Sequence, residues 1–143
     1  WFLFGLNNTY ITNIPLDRIE EMVYSDAPYI RNTNIDFEEY FDDIVGVTFP
    51  KTGKKEMVIL RFAHERFPYV TSKPLHHSQK IVNRDECTIS VEVIPNKELR
   101  QLLFSFGPDV EVLSPSSLRE DIIAKIAELS TKYFAVQKDC TDA

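Results

Sequence analysis

From Glu56 onward the apolar residues switch repeatedly between two spacings, and that switching limits the folds open to the chain. Val58, Leu60 and Phe62 alternate with Met57, Ile59 and Arg61, which is strand period. Ala63 to Val70 predicts a short helix, stopped by Pro68 and Pro74. Gln79 to Asn83 predicts a brief strand, and Arg84-Asp85-Glu86 a turn. Cys87, Ile89, Val91 and Val93 then alternate with Thr88, Ser90 and Glu92, the pattern of a half-buried strand. Asn96 stands where a helix cap is wanted, ahead of Leu99, Leu102, Leu103 and Phe106 at helical spacing. Gly107 suits the position after that helix, and Pro108 prevents continuation. Val110, Val112 and Leu113 predict a last strand. Ser114-Pro115 then opens a helix, with Pro in its first turn and a stripe of Leu118, Ile122, Ile126, Leu129 and Tyr133 widened by Ile123. The order is β-α-β-β-α-β-α. Its first six elements are the split βαβ, ferredoxin-like arrangement, so the fold class expected is α+β with an added C-terminal helix.

The upstream part is less regular. Trp1 to Leu6 is an apolar run, Asn7-Asn8 a turn signal, and Thr9 to Ile14 a β-branched run, so a hairpin is expected. Met22-Val23-Tyr24 could extend it or restart a strand, and residues 25–34 are loop-like. Phe37, Tyr40, Phe41 and Ile44 share one helical face, Asp36 with Glu39 suggests a capping box, and Gly46 ends the helix. The acids Asp36, Glu38, Glu39, Asp42 and Asp43 lie opposite and suit a solvated face better than a metal site. Thr48 to Lys55 is a basic, turn-rich linker, which divides the chain into residues 1–50 and 51–143.

Ten Phe, six Tyr and one Trp can build a core, and no apolar run approaches the ~20 residues of a membrane span. The chain opens on Trp1 with neither a basic leader nor a cleavage site, so an excised piece of a longer cytoplasmic protein, without its N-terminal part, is expected. Cys87 and Cys140 read as two free thiols. The net charge of −6 is unevenly spread. Residues 51–84 hold eight Lys or Arg against two acids, and all three His, whereas the remainder holds eight basic and twenty acidic residues. Such an island can focus a field on an anionic ligand, or simply balance acids across the surface.

Catalytic patterns are missing from the sequence. Neither Cys has a neighbouring His, and there is no G-x-S-x-G elbow or C-x-x-C. Four Gly make no phosphate loop or dinucleotide fingerprint. Adjacent His76 and His77 have no metal-ligand spacing, so no metal or cofactor is expected. The densest polar cluster is His76-His77-Ser78-Gln79 with Lys73 and Lys80. It can donate to phosphate oxygens and stack on a base, or it can be a loop whose Ser and Gln satisfy backbone groups.

Several stretches in order resemble the WYL-domain transcriptional regulators of bacteria. Trp1-Phe2-Leu3 looks like the name-giving Trp-Tyr-Leu, with Phe in place of Tyr, and Leu16-Asp17-Arg18-Ile19 is similar to the family's Leu-Asp-Arg-Ile. Val58 to Phe62, His77-Ser78-Gln79 and Leu102 to Pro115 resemble the C-terminal extension called WCX. Thr12, Asn13, Ile14 and Pro15 stand where many members carry basic residues. The resemblance implies an incomplete Sm- or SH3-like barrel over residues 1–50, a WCX-like module over 51–143, and a helix-turn-helix, absent here, through which DNA would be bound. It implies a homodimer and an effector such as a nucleotide or single-stranded nucleic acid, with Arg18 the best single carry-over; taken together with the basic window and the polar cluster, the candidate ligand-binding residues are Trp1, Arg18, Arg61, Lys73, His76, His77 and Gln79. Trp1 and Leu3 also fit core positions. The alternative is a purely structural dimerisation module, and either way the region is non-catalytic.

Overall fold

A computed structural model describes residues 1–7, 10–33, 35–50 and 52–135. The chain divides into two compact units, residues 1–41 and residues 42 onward, ahead of the division expected at 50–51.

In the first unit β1 (Phe2–Asn7) pairs antiparallel with β2 (Tyr10–Pro15), Leu3 facing Ile14 and Gly5 facing Thr12. The expected hairpin is present, while Asn8 and Thr9, read as its turn and second-strand start, lie outside the described residues. The Leu16 N–H donates to the Trp1 carbonyl at 3.1 Å and closes the pair. Leu16–Arg18 form one 3-10 turn. Met22, Val23 and Tyr24 form no strand and are exposed. The helix expected from Phe37 is a single turn, α1 (Phe37–Tyr40). Phe37 and Phe41 pack on Phe4, with ring centroids 5.7 and 5.1 Å apart.

The segment that follows Phe41 belongs to the second unit. The Ile94 N–H donates to the Asp43 carbonyl at 2.6 Å, and Asn96 Nδ2 donates to the Val45 and Thr48 carbonyls at 2.7 and 3.1 Å. Those carbonyls therefore serve other partners than a helix ladder. Gly46 has φ +83°, and a Cβ there would meet Glu98 Cγ at 2.8 Å, so the segment lies close against the helix that Asn96 caps. Ile44 is buried in this unit.

The rest of the second unit follows the expected order: β3 (Glu56–Phe62), α2 (Phe67–Ser72), β4 (Lys80–Asn83), β5 (Thr88–Val93), α3 (Lys97–Ser105), β6 (Val110–Ser114) and α4 (Ser116–Ala135). The sheet order is β4-β5-β3-β6, every neighbour antiparallel, which is the ferredoxin-like arrangement. Val58, Leu60 and Phe62 of β3 face a core with Ile89, Val91, Leu99, Leu103, Val112 and Leu118.

Several local expectations are corrected. Pro68 does not stop α2 but sits in its first turn, where the missing N–H has no intrahelical partner to lose. Cys87 is not a strand residue. Asn83 Oδ1 accepts from the Asp85 and Glu86 N–H groups, and the turn leaves Cys87 at φ +52° with its side chain buried. β5 is covered on both faces rather than half-buried, since Thr88 and Ser90 are only 3% and 8% exposed. They are short side chains paired across from the longer Arg61, Ile59 and Lys80. Pro115 precedes α4, and its carbonyl accepts the Arg119 N–H at 3.1 Å.

Asn96 is the strongest single tie. Its Oδ1 accepts from the Leu99 N–H at 2.8 Å while its amide nitrogen holds the 45–48 segment, and the residue is 1% exposed. Asn96→Ala removes a helix cap and orphans two carbonyls, so a loss of about 2–4 kcal/mol is expected. A urea unfolding midpoint close to that of the unchanged chain would contradict this account.

Candidate functional site

The loop after α2 gathers four of the expected residues. Lys73 ends the helix, with its N–H donating to the Tyr69 carbonyl at 2.9 Å and its ammonium 5.5 Å from the centre of the Tyr69 ring. Gln79 is used at both ends of its amide. Its Oε1 accepts from the Leu75 N–H at 2.9 Å, and its Nε2 donates to the Val70 carbonyl at 3.0 Å. Ser78 acts as a strand residue would. Its hydroxyl donates to the Glu92 carbonyl and accepts from the Glu92 N–H, continuing the β4–β5 pairing by side chain.

His76 Nδ1 lies 2.8 Å from Ser78 Oγ and accepts from the Ser78 N–H at 3.3 Å. The His76 and His77 ring centroids are 4.1 Å apart. Burial, and after it the neighbouring His77, hold the His76 imidazole below its ordinary value of 6.5, against the backbone contact with Asp42 that favours protonation. Gln79 and Ser78 thus serve the protein's own backbone, whereas Lys73, His77 and Lys80 remain exposed.

Other members of the basic window are neutralised where they stand. Lys55 pairs with Asp43 at 2.6 Å, and Arg66 with Asp109 at 3.1 Å. Arg61 pairs with Glu111 through one carboxylate oxygen at 2.5 Å, while the other oxygen accepts from Arg119 at 2.9 Å. Two guanidinium groups, Arg61 foremost, hold the Glu111 carboxyl below the usual range. Lys54, Lys73, Lys80 and Arg84 make no ion pair among the described residues. Lys51 lies outside the described residues, as do Cys140 and the tail from Gln137.

Arg61 projects from the sheet rather than from this loop, since Leu60 beside it faces the core. Trp1 and Arg18 belong to the first unit. Trp1 is 99% exposed and Leu3 about half exposed, so neither is core. Arg18 ends the 3-10 turn, exposed, with no ion pair to Asp17 or Glu21 among the described residues. A concavity of about 360 Å³ in this unit is lined by Phe4, Ile11, Ile30, Arg31 and Phe37, among others. Among the described residues there is no group of three side chains able to hold a metal ion, and no helix long and apolar enough to cross a membrane.

The sequence reading missed a larger feature. A groove of about 480 Å³ runs between α3, β6 and α4, with Leu103, Phe104, Pro108, Val112, Ile126 and Leu129 on its walls and Glu111 and Arg119 at its polar side. The α4 stripe was legible as a helical face, but which part of it would be covered was not. Only Leu118 is fully buried, and Ile122 partly. The Arg61–Glu111–Arg119 chain was invisible for a related reason: it needs the register of β3 against β6.

The WCX domain family matches residues 54–130, more than half of the chain. That span starts two residues before β3 and ends inside α4. No curated protein matches the chain.

The His76 environment has a pH consequence. Because its folded-state value is lowered, the unfolded chain takes up the proton first, so stability should fall as pH drops through about 6.5 and below. The His76 imidazole is expected to titrate below 6.5 by NMR, and His76→Asn to lessen the drop in urea midpoint between about pH 7.5 and 5.5. A titration midpoint at or above the ordinary value would refute the assignment.

Proposed function

The chain belongs to the WCX domain family, and from that premise we propose that it is a non-catalytic regulatory region of a bacterial helix-turn-helix transcription regulator, working in the cytoplasm. In this reading residues 1–50 are the end of a WYL barrel, and the DNA-contacting helix-turn-helix is supplied elsewhere in the protein. The observation that carries the proposal is the family match laid over a complete four-stranded sheet whose core needs no further strand. Two functions fit such a region, effector sensing and dimerisation.

The sensing half is supported by the exposed Lys73, His77 and Lys80 around the 73–80 loop. These groups suit the phosphates of a nucleotide or of single-stranded nucleic acid. Arg61 is less free for this role, because Glu111 already holds its guanidinium. The dimerisation half is supported by the apolar groove beside α4.

Titration with a short single-stranded DNA at low salt tests the sensing half. Binding is expected, weakening as salt rises, with Lys73→Glu plus Lys80→Glu lowering affinity roughly tenfold or more through lost phosphate contacts. Absence of binding at low salt, where electrostatic attraction is strongest, removes the nucleic-acid effector and leaves dimerisation as the function.

A further inference from the structure

The groove between α3, β6 and α4 is apolar except at one corner, which Glu111 and Arg119 supply. Leu103, Phe104, Val112, Ile126 and Leu129 stand on its walls. Leu103 and Val112 are seated in the core of the second unit, so packing already fixes two of those walls and an occupant does not have to order them.

Arg119 follows buried Leu118 near the start of α4, and its guanidinium is held at one nitrogen only. Nη1 donates to Glu111 Oε1 at 2.9 Å and to the Val112 carbonyl at 2.5 Å. Nε and Nη2 make no hydrogen bond among the described residues. Arg61 is the reverse case, since its Nε and Nη2 both donate to Glu111 Oε2, at 3.2 and 2.5 Å. The Nε–Nη2 edge of a guanidinium is a fork that matches the two oxygens of a carboxylate. Arg61 has spent that fork on the protein, and Arg119 has not. Both Glu111 oxygens are engaged, and two guanidinium groups against one carboxylate leave the corner with a net positive charge.

We propose that the groove is the binding site of an amphipathic carboxylate, a small molecule with an alkyl chain and one carboxylate group. The chain lies against Leu103, Phe104, Ile126 and Leu129, and the carboxylate takes the Nε–Nη2 edge of Arg119. Three properties fit this class. The volume of about 480 Å³ falls among those of small-molecule sites, ~300–1,000 Å³. The polar groups are gathered at one place, which suits a ligand with a single polar end and not a nucleotide, whose phosphates, sugar and base each need partners. The net charge at that place favours an anionic end over an alcohol or an amine. The proposal goes beyond the function given above, because it adds an effector of different chemistry at a surface other than the 73–80 loop. An occupied groove is closed to a second copy, so this ligand and dimerisation through the groove compete for the same walls.

Isothermal titration calorimetry of the full chain with decanoate, and with decan-1-ol as the uncharged probe, tests this. Decanoate is expected to bind, and decan-1-ol to bind roughly tenfold more weakly or worse, since only the anion engages the guanidinium strongly. Arg119→Lys keeps the charge but has no fork, and should lower decanoate affinity about fivefold or more while leaving decan-1-ol unchanged. Ile126→Glu alters a half-exposed position and sets a like charge in the groove. It should keep the native circular dichroism and unfolding midpoint and lower decanoate affinity roughly tenfold or more. These titrations contain no nucleic acid, so failure of single-stranded DNA to bind leaves the proposal standing. Absence of decanoate binding, equal affinity for decan-1-ol, or an Arg119→Lys chain that binds decanoate as tightly as the unchanged one overturns it. A dimer that Ile126→Glu dissociates and decanoate does not would assign the groove to a second copy, and overturns it as well.

Discussion

The central strand β3 is what the second unit depends on. It pairs with β5 over Glu56–Arg61 and with β6 over Ile59–Phe62, so two strands distant in sequence are ordered by one. Its inward residues, Val58, Leu60 and Phe62, are nearly inaccessible, and both helices α2 and α3 reach the sheet through them and their neighbours. Burial of a large aliphatic side chain contributes about 1.5–3 kcal/mol, and removing one from a filled core costs more because the space does not close. Once β3 has chosen its partners, the hairpin of β4 and β5 and the return strand β6 have few alternatives, because a one-residue slip would turn Val91 or Val112 to the wrong face.

A second constraint, smaller in extent, joins the module to the chain before it. Asn96 faces both ways, capping α3 with its oxygen and holding the 45–48 carbonyls with its nitrogen. It is a buried polar residue with its hydrogen bonds made, and such groups specify geometry because any other arrangement leaves them unpaired. The segment thereby fixed brings the Asp42 backbone against His76, which connects the polar loop to the same seam. At the other edge of the sheet Arg119 donates to the Val112 carbonyl, so the outer strand β6 presents one acceptor fewer to an incoming strand.

Much of this was legible in the sequence because it is local or periodic. Alternation located β3 and β5, Asn96 and Gly107 marked the two ends of α3, and the βαββαβ order implied the sheet topology. The errors fell where a local signal had a tertiary competitor. Phe37 to Ile44 carries a helical face, but only Phe37–Tyr40 is helical, and the following segment is tied through the Asp43, Val45 and Thr48 carbonyls to Ile94 and Asn96. Cys87 continues the alternation of β5, yet the Asn83 turn holds it in a left-handed conformation. The 73–79 loop was recognisable as a polar cluster, while the division of labour within it was not, because Gln79 and Ser78 spend their donors and acceptors on Val70, Leu75 and Glu92.

The sequence by itself determined the element types, their order and the inward faces of the strands, since those follow from spacing along the chain. It also determined that residues 54–130 carry a WCX domain. Only the tertiary structure decided which charges are spent and which apolar residues stay uncovered. Arg61 and Lys73 are equivalent as letters in a basic window, and only the register that sets Glu111 across from Arg61 separates them. Leu118 and Leu129 are equivalent on a helical wheel, and only the distance at which α4 leaves the sheet makes one a core residue and the other a wall of an open groove.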